Sequence, residues 1–171
     1  MKKPIVVAMV LLLTLTILGC AGAVTEPETG SQEIAFDFDV LTQKLAEATY
    51  QDSELGEQPL FGDINVMDES AVNDYLQIDT TDFEEMYCAR HSDETKASLV
   101  LVIKPKEGAE DNVKSIMHTF LDMYAAQYST YFPPSVKMIE DCYTINKGDY
   151  IIYTISDDNQ AVINAINQSK K

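Results

Sequence analysis

The segment from Ala97 to Ile103 (ASLVLVI) is almost continuously apolar and rich in β-branched residues. A strand with one solvent-facing side alternates apolar and polar residues, whereas a strand covered on both sides is apolar throughout. We therefore expect a central strand here, covered on both faces. Residues 86–91 predict a second strand, and the polar residues 91–96 predict the turn that joins the two.

A long amphipathic helix is predicted from Glu107 to Tyr131. Its apolar residues recur at the spacing of one helix face: Val113, Ile116, Met117, Phe120, Leu121, Tyr124 and Tyr128. The acidic residues among positions 107–111 favour a helix start, because carboxylates are stabilised at the positive end of the helix dipole. Pro133 and Pro134 then end the helix.

The strand-strand-helix order is predicted a second time towards the C-terminus. Residues 137–145 and 150–156 form a hairpin around a turn that contains Gly148, which can adopt the left-handed conformation of a tight turn. Ser156 is then the predicted N-cap of a last helix, whose buried side carries Val162, Ile163 and Ile166.

Two helices are predicted before these units. Asp39 is the expected N-cap of the first, residues 51–62 form a loop, and residues 67–76 form a short second helix. The element order is therefore α-α-ββα-ββα. We expect an α+β fold, an antiparallel sheet of about four strands with helices packed on one face.

The start of the chain has the pattern of a bacterial lipoprotein export signal. Lys2 and Lys3 precede the apolar run from Ile5 to Leu18, and Gly19 stands directly before Cys20. The apolar run has 14 residues, fewer than the roughly 18–20 that a membrane-spanning helix needs. The alternative is an ordinary secretory signal followed by an unrelated cysteine.

These patterns predict three parts. They are a signal peptide (1–19), a lipidated Cys20 with a flexible stalk (20–33), and a single α+β domain (34–171) on the extracytoplasmic face of the cell membrane. Without the leader the chain keeps 10 basic and 28 acidic side chains, a net charge of −18. Nucleic acid and anionic bilayers repel such a surface, so membrane attachment depends on the lipid, and cations and basic proteins remain as partners.

Cys88 and Cys142 both lie in predicted strands. One interpretation is a disulfide, which an oxidising extracytoplasmic compartment permits. The other, which we favour, is two separate buried thiols, because a bridge needs α-carbons within about 7 Å. No CxxC pair and no cysteine-histidine spacing typical of zinc occurs.

The catalytic signals are weak. His118 lies on the flank of the long helix, and His91 ends a strand beside Ser92 without a nucleophile elbow. One acidic segment resembles a calcium loop but has no glycine at its sixth position: Asp63, Asn65, Asp68 and Glu69. Neither a phosphate-binding loop nor a dinucleotide fingerprint is present, so we predict no cofactor.

Aromatic residues suggest one further hypothesis, a carbohydrate or peptide groove. It would be lined by Tyr124, Tyr128, Tyr131, Phe132, Tyr143, Tyr150 and Tyr153. Tyrosine at helical spacing more often lies at the margin of a core, and a chain without tryptophan makes a sugar site less favoured.

Three short segments resemble a family of uncharacterised bacterial lipoproteins, domain of unknown function number 4358. They are residues 75–79 (YLQID), 147–150 (KGDY) and 155–158 (ISDD). The lipoprotein leader is similar as well. The resemblance extends from about Phe38 to Ile166, and it implies a structural likeness without an activity or functional residues. Cys88 and Cys142 are not part of the pattern.

The hypothesis that the sequence favours is a membrane-anchored, non-catalytic domain that binds a protein, an envelope component or a small ligand. The alternative is a cell-envelope hydrolase that uses His91 with a nearby acid. A solute receptor for a transporter is disfavoured, because two lobes around a cleft need a longer chain.

Overall fold

The computed structural model describes residues 34–171. Its elements in chain order are α1 (Phe38–Glu47), β1 (Thr49–Asp52), β2 (Gly56–Pro59), β3 (Ile64–Met67), α2 (Glu69–Leu76), β4 (Phe83–His91), β5 (Leu99–Pro105), α3 (Glu110–Tyr131), α4 (Pro133–Glu140), β6 (Tyr143–Lys147), β7 (Tyr150–Ile155) and α5 (Asn159–Gln168). The signal peptide (1–19), Cys20 and the stalk (20–33) lie outside the described residues and remain predictions. Within residues 34–171, no helix combines the length and the apolar character needed to cross a membrane.

The main sheet has five strands in the order β3-β4-β5-β7-β6, and every neighbouring pair is antiparallel. The strand predicted from residues 97–103 is β5, and it lies at the centre of this sheet. β1 and β2 form a separate antiparallel hairpin. The predicted α+β class and antiparallel sheet are therefore confirmed, with one strand more than expected in the main sheet.

Both faces of β5 are covered. Its odd-numbered residues, Leu99, Leu101 and Ile103, pack in a cluster with α2, α3 and α4, which we call the α3 face. Val100 and Val102 pack in a second cluster with α1 and α5, the α1/α5 face. All five side chains are fully buried. The expectation of helices on one face alone was wrong, because α1 and α5 bury their apolar stripes on the opposite side.

Two predicted helix caps lie at different residues. Asp37, not Asp39, caps α1, since its carboxylate accepts a hydrogen bond from the Val40 N–H at 3.1 Å. Asp158, not Ser156, caps α5 through the Ala161 N–H. In each case the competing residues differ by two positions, and both are common N-cap types.

Other differences concern short elements. The loop expected at residues 51–62 contains most of the β1–β2 hairpin, and β3 comes after it as an edge strand. Pro133 ends α3 but also occupies the first position of α4, where proline is favoured because no N–H is required. α4 therefore covers residues 133–140, and the strand predicted from Lys137 begins only at Tyr143.

The first described residues pair with the end of the chain. Phe36 forms an isolated antiparallel bridge with Lys170, and the Asp37 N–H donates to the Ser169 carbonyl at 2.7 Å. Ile34 and Phe36 pack in the cluster of the α1/α5 face. The polypeptide thus enters the domain on that face, opposite α2 and α3.

Candidate functional site

A groove of about 510 Å³ lies between α2 and α3. One wall is the end of α2 and the residue directly after it: Tyr75, Leu76 and Gln77. The other wall is a strip of α3: Ser115, Ile116, Thr119, Phe120 and Met123. None of these residues is an Asp, Glu, Lys or Arg, so the groove has an uncharged and mainly apolar lining.

The groove is formed in part by apolar residues of α3 that lie beside the helix positions buried in the core. The fully core-facing positions are Val113, Met117, Phe120, Tyr124 and Tyr128. Ile116 and Met123 lie beside these positions, and together with Phe120 they have the spacing i, i+4, i+7 of a stripe along the edge of the core face. Ile116 is half-buried, and Met123 is 56% exposed. An exposed methionine beside aromatic rings is typical of adaptable binding surfaces.

The α2 wall is fixed by the way that helix ends. Val72 and Leu76 are buried against the α3 face of the sheet. Gln77 then adopts a left-handed conformation (φ 64°) and its N–H bonds to the Asn73 carbonyl, which terminates the helix. Ile78, the next residue, is fully buried in the cluster of the α3 face, so the chain turns back into the core directly after α2.

Aromatic rings form the floor of the groove. The centroid of the Tyr75 ring lies 5.5 Å from that of Phe120 and 6.2 Å from that of Tyr124, and Phe120 stacks on Tyr124 at 5.0 Å. The guanidinium of Arg90 lies 5.1 Å from the Tyr75 ring centroid, within cation–π range. These contacts hold Tyr75 in place, so the α2 wall is preorganised.

Hydrogen bonds fix the same cluster to the β4–β5 turn. The Tyr124 hydroxyl donates a hydrogen bond to the Tyr128 hydroxyl at 3.3 Å. The Tyr128 hydroxyl in turn lies within donating distance of two carbonyl oxygens, that of Glu94 at 2.7 Å and that of Lys96 at 3.1 Å. Burial raises the pKa of Tyr124 and of Tyr128, so both hydroxyls stay protonated and available as donors. The role of this pair is to anchor α3.

A second cleft, of about 490 Å³, lies where β5 leads into α3 and beside the β6–β7 turn. Its charged residues have both signs: Glu84, Lys104, Lys106, Glu107, Glu110 and Asp149. Lys104 pairs with Glu84 at 2.7 Å, and Lys106 donates to the Thr80 carbonyl at 3.1 Å. Both ammonium groups already have partners within the protein, so a ligand in this cleft would have to compete with those partners. The groove between α2 and α3 is therefore the better candidate for a binding site.

His91 has a structural arrangement at the end of β4. Its Nδ1 accepts a hydrogen bond from the Asp93 N–H at 2.9 Å, and its ring lies against the backbone of Gly62, where a Cβ would be 3.3 Å from Nε2. Burial lowers the pKa of His91, which keeps the imidazole neutral at pH 7. The neutral ring is held as an acceptor in the turn. Ser92 beside it is exposed.

The predicted acidic loop is not gathered into one site. Asn65 lies in β3 opposite Arg90 of β4, and Asp68 caps α2 by accepting from the Ala71 N–H at 2.8 Å. Among residues 34–171 no group of three or more histidine, cysteine or acidic side chains has the arrangement of a metal site. His118 is exposed on α3, and its Nδ1 lies 3.3 Å from Oδ2 of Asp122.

Both cysteines of the described domain are free thiols. Cys88 lies in β4 and Cys142 directly precedes β6, and β5 and β7 separate these two strands. Three strand spacings amount to roughly 14 Å, beyond the ~7 Å limit for a disulfide. Burial raises the pKa of Cys88 to about 12 and that of Cys142 to about 11, so neither thiol is readily ionised.

The tyrosines predicted to line one groove are distributed over several parts of the domain. Tyr153 packs on the α3 face, Tyr150 packs on the α1/α5 face, and Tyr131 and Tyr143 are exposed. The groove instead uses Tyr75, which lies in the short helix predicted over residues 67–76. The sequence signal that could have indicated the groove is Met123, an apolar residue outside the predicted α3 stripe.

Residues 61–156 match the model of the family described as "Domain of unknown function (DUF4358)". The match spans more than half of the chain, and it includes the five strands of the main sheet and both walls of the groove. The match is shorter than the resemblance, which was expected to extend from about Phe38 to Ile166. Neither a curated protein nor a solved structure shows significant similarity to the chain.

Proposed function

The chain belongs to the DUF4358 family, and we propose that it is a lipid-anchored extracytoplasmic protein whose domain binds a partner and does not catalyse a reaction. Cys20 is the residue that carries the lipid, and residues 20–33 are the stalk. The single observation that supports the binding role best is the open, uncharged groove between α2 and α3.

The leader supports the anchoring part of this proposal. Gly19-Cys20 after a short apolar run is the pattern at which a lipoprotein is cleaved and acylated. One acyl chain binds a membrane only marginally, at about 0.8 kcal/mol per buried methylene, so stable anchoring takes two or more chains. The strongly acidic polypeptide adds no attraction of its own to anionic lipid.

The geometry of the groove supports the binding part. Soluble proteins usually bury a side chain such as Met123 with its apolar neighbours, and here it is 56% exposed in a groove that the half-buried Ile116 and the buried Phe120 also line. The polypeptide enters the domain on the α1/α5 face. The groove lies on the other side of the sheet from Ile34 and Phe36.

Site-specific cross-linking on intact cells tests the binding role. A photoreactive amino acid at Met123 is expected to give a reproducible cross-linked neighbour. The same amino acid at Leu55, which is 73% exposed on the tip between β1 and β2, is the matched control and is expected to give none. Equal cross-linking at both positions, or none at position 123, would contradict a partner in the groove.

A further inference from the structure

We propose that the groove between α2 and α3 binds a basic amphipathic helix of another protein, with apolar side chains on one face and lysine or arginine around them. This inference deepens the proposed function, on which it rests, by assigning the chemistry of the partner. Three features carry it: the length of the apolar strip, the helical walls, and the charge of the segments that build them.

The apolar strip has the length of a short helix face. On α3 it runs from Ile116 to Met123, which is about 10.5 Å at 1.5 Å per residue. Two turns of a partner helix cover that distance and present anchors at i, i+3 or i+4, and i+7. The groove volume of about 510 Å³ accommodates such side chains against the aromatic floor formed by Tyr75 and Phe120.

The walls favour a helix over an added strand. Strand addition requires a sheet edge with unpaired backbone N–H and C=O groups. Both walls here are helices, and even the N–H of Gln77 at the end of α2 is bonded to the Asn73 carbonyl. Binding therefore depends on side chains, as when an amphipathic helix lies in an apolar groove.

The charge of the surrounding segments indicates a basic partner. Residues 68–82 and 110–131, which contain both walls, carry eight carboxylates and a single lysine. That lysine, Lys114, is already paired with Glu110 at 2.5 Å. Arg90, which lies outside these segments but over the Tyr75 ring, is paired with Glu94 at 3.5 Å. Asp79 accepts a hydrogen bond from the Thr81 N–H, which lowers the pKa of Asp79 and keeps it ionised. An uncharged groove between acidic segments complements lysines that flank an apolar face.

The same charges disfavour the other occupants. A second copy of this chain would bring a like-charged surface against the groove, and bilayers and nucleic acids are anionic. The predicted stalk carries Glu26, Glu28 and Glu33 and no basic residue, so its charge is also wrong. A basic protein segment is the occupant that both the shape and the charge favour.

Fluorescence anisotropy with designed peptides tests this inference. The probe is a labelled peptide of about 14 residues with leucines at i, i+3, i+4 and i+7 and lysines elsewhere. A peptide with glutamate in place of lysine and a scrambled leucine–lysine peptide are the controls. The full chain is isolated from the producing cells in a non-ionic detergent, and the detergent alone serves as the blank.

The decisive comparison is between Met123→Glu and Leu55→Glu. Both replace an exposed apolar side chain with the same added negative charge. If the peptide is held only by general attraction to an acidic protein, both variants should bind it as well as the wild type or better. If it docks in the groove, Met123→Glu should weaken binding by about tenfold or more, as expected when an apolar contact is replaced by a charge, and Leu55→Glu should not.

Three results would overturn the inference. They are equal affinity of the two variants, binding of the glutamate or scrambled peptide as tight as that of the lysine peptide, and a self-association that Met123→Glu abolishes. The last result would make a second copy the occupant. If no peptide binds while cells still yield a cross-linked neighbour at position 123, the partner in the groove stands and the inference that this partner is a basic helix is wrong.

Discussion

Alanine substitutions at Leu101 and Ile152 test whether the sheet is covered on both faces. Leu101 lies in β5 and packs on the α3 face, whereas Ile152 lies in β7 and packs on the α1/α5 face. Both side chains are 0% exposed. Each substitution removes the same number of carbon atoms, so the two variants are matched in the size of the change.

The expected cost results from this burial. Three carbon atoms at about 0.8 kcal/mol each give about 2.4 kcal/mol of lost transfer free energy. The cavity that remains brings each variant to about 3–4 kcal/mol, within the ~2–5 kcal/mol seen for such changes. Val66→Ala in the edge strand β3 is the control, since Val66 is 47% exposed, and it should cost less than about 1 kcal/mol.

Urea unfolding of residues 31–171, the compact unit that contains the domain, measures these values by circular dichroism. The structure predicts similar losses for Leu101→Ala and Ile152→Ala. A loss of about 3 kcal/mol for Leu101→Ala with less than about 1 kcal/mol for Ile152→Ala would mean that only the α3 face is covered. The two-sided packing of the sheet would then be refuted.

Three further predictions use the same fragment. Tyr128→Phe should lower the free energy of unfolding by about 1–3 kcal/mol, because the buried Tyr124 hydroxyl loses its acceptor and two carbonyls of the β4–β5 turn lose their donor. Tyr131→Phe at an exposed position should change little, and equal effects of the two variants would contradict the anchoring role. His91→Ala should be less stable than the wild type at pH 8, and the difference in the free energy of unfolding should narrow as the pH falls below 6.5. Burial lowers the pKa of the folded imidazole, so acid destabilises the wild type by protonating His91 and has no such effect on the variant. A difference independent of pH would contradict this. Unfolded, unreduced protein should titrate as two thiols, Cys88 and Cys142, whereas a disulfide would leave none.

The sequence predicted the elements whose signal is local and strong. The continuous apolar run of β5 reflects its burial on both faces, and α3 was predicted from a stripe that begins at Val113 and extends to Tyr128. The hairpin of β6 and β7 was predicted from its turn, in which Gly148 has a positive φ of 56°. Such features are set by residues close together in the chain.

Other features depend on tertiary contacts. Nothing in the stripes of α1 and α5 indicates which face of the sheet they cover, because that choice is made by the path of the chain. Residues 51–62 lack strand alternation, since both strands of the β1–β2 hairpin are largely exposed. Pro133 was interpreted as a stop for one helix, and its role as the start of α4 depends on the burial of Ile139 at the far end of that helix.

The candidate site was only partly predictable for the same reason. The apolar stripe of α3 was found, but the sequence did not separate core positions such as Met117 from groove positions such as Ile116. Tyr75 comes from a distant segment, and its contact with Phe120 exists only after α2 packs beside α3. His91 was considered as a catalytic base, and the backbone donor that occupies its Nδ1 is visible only in three dimensions.

Metabolic labelling with an alkyne-bearing fatty acid tests the lipid anchor at Cys20 most directly. Cells that produce the wild-type chain or the Cys20→Ser variant are labelled, fractionated and compared. We predict a labelled wild-type protein in the membrane fraction and an unlabelled variant that no longer stays there. A wild-type protein without label, or a Cys20→Ser variant that is held in the membrane as firmly as the wild type, would contradict the account.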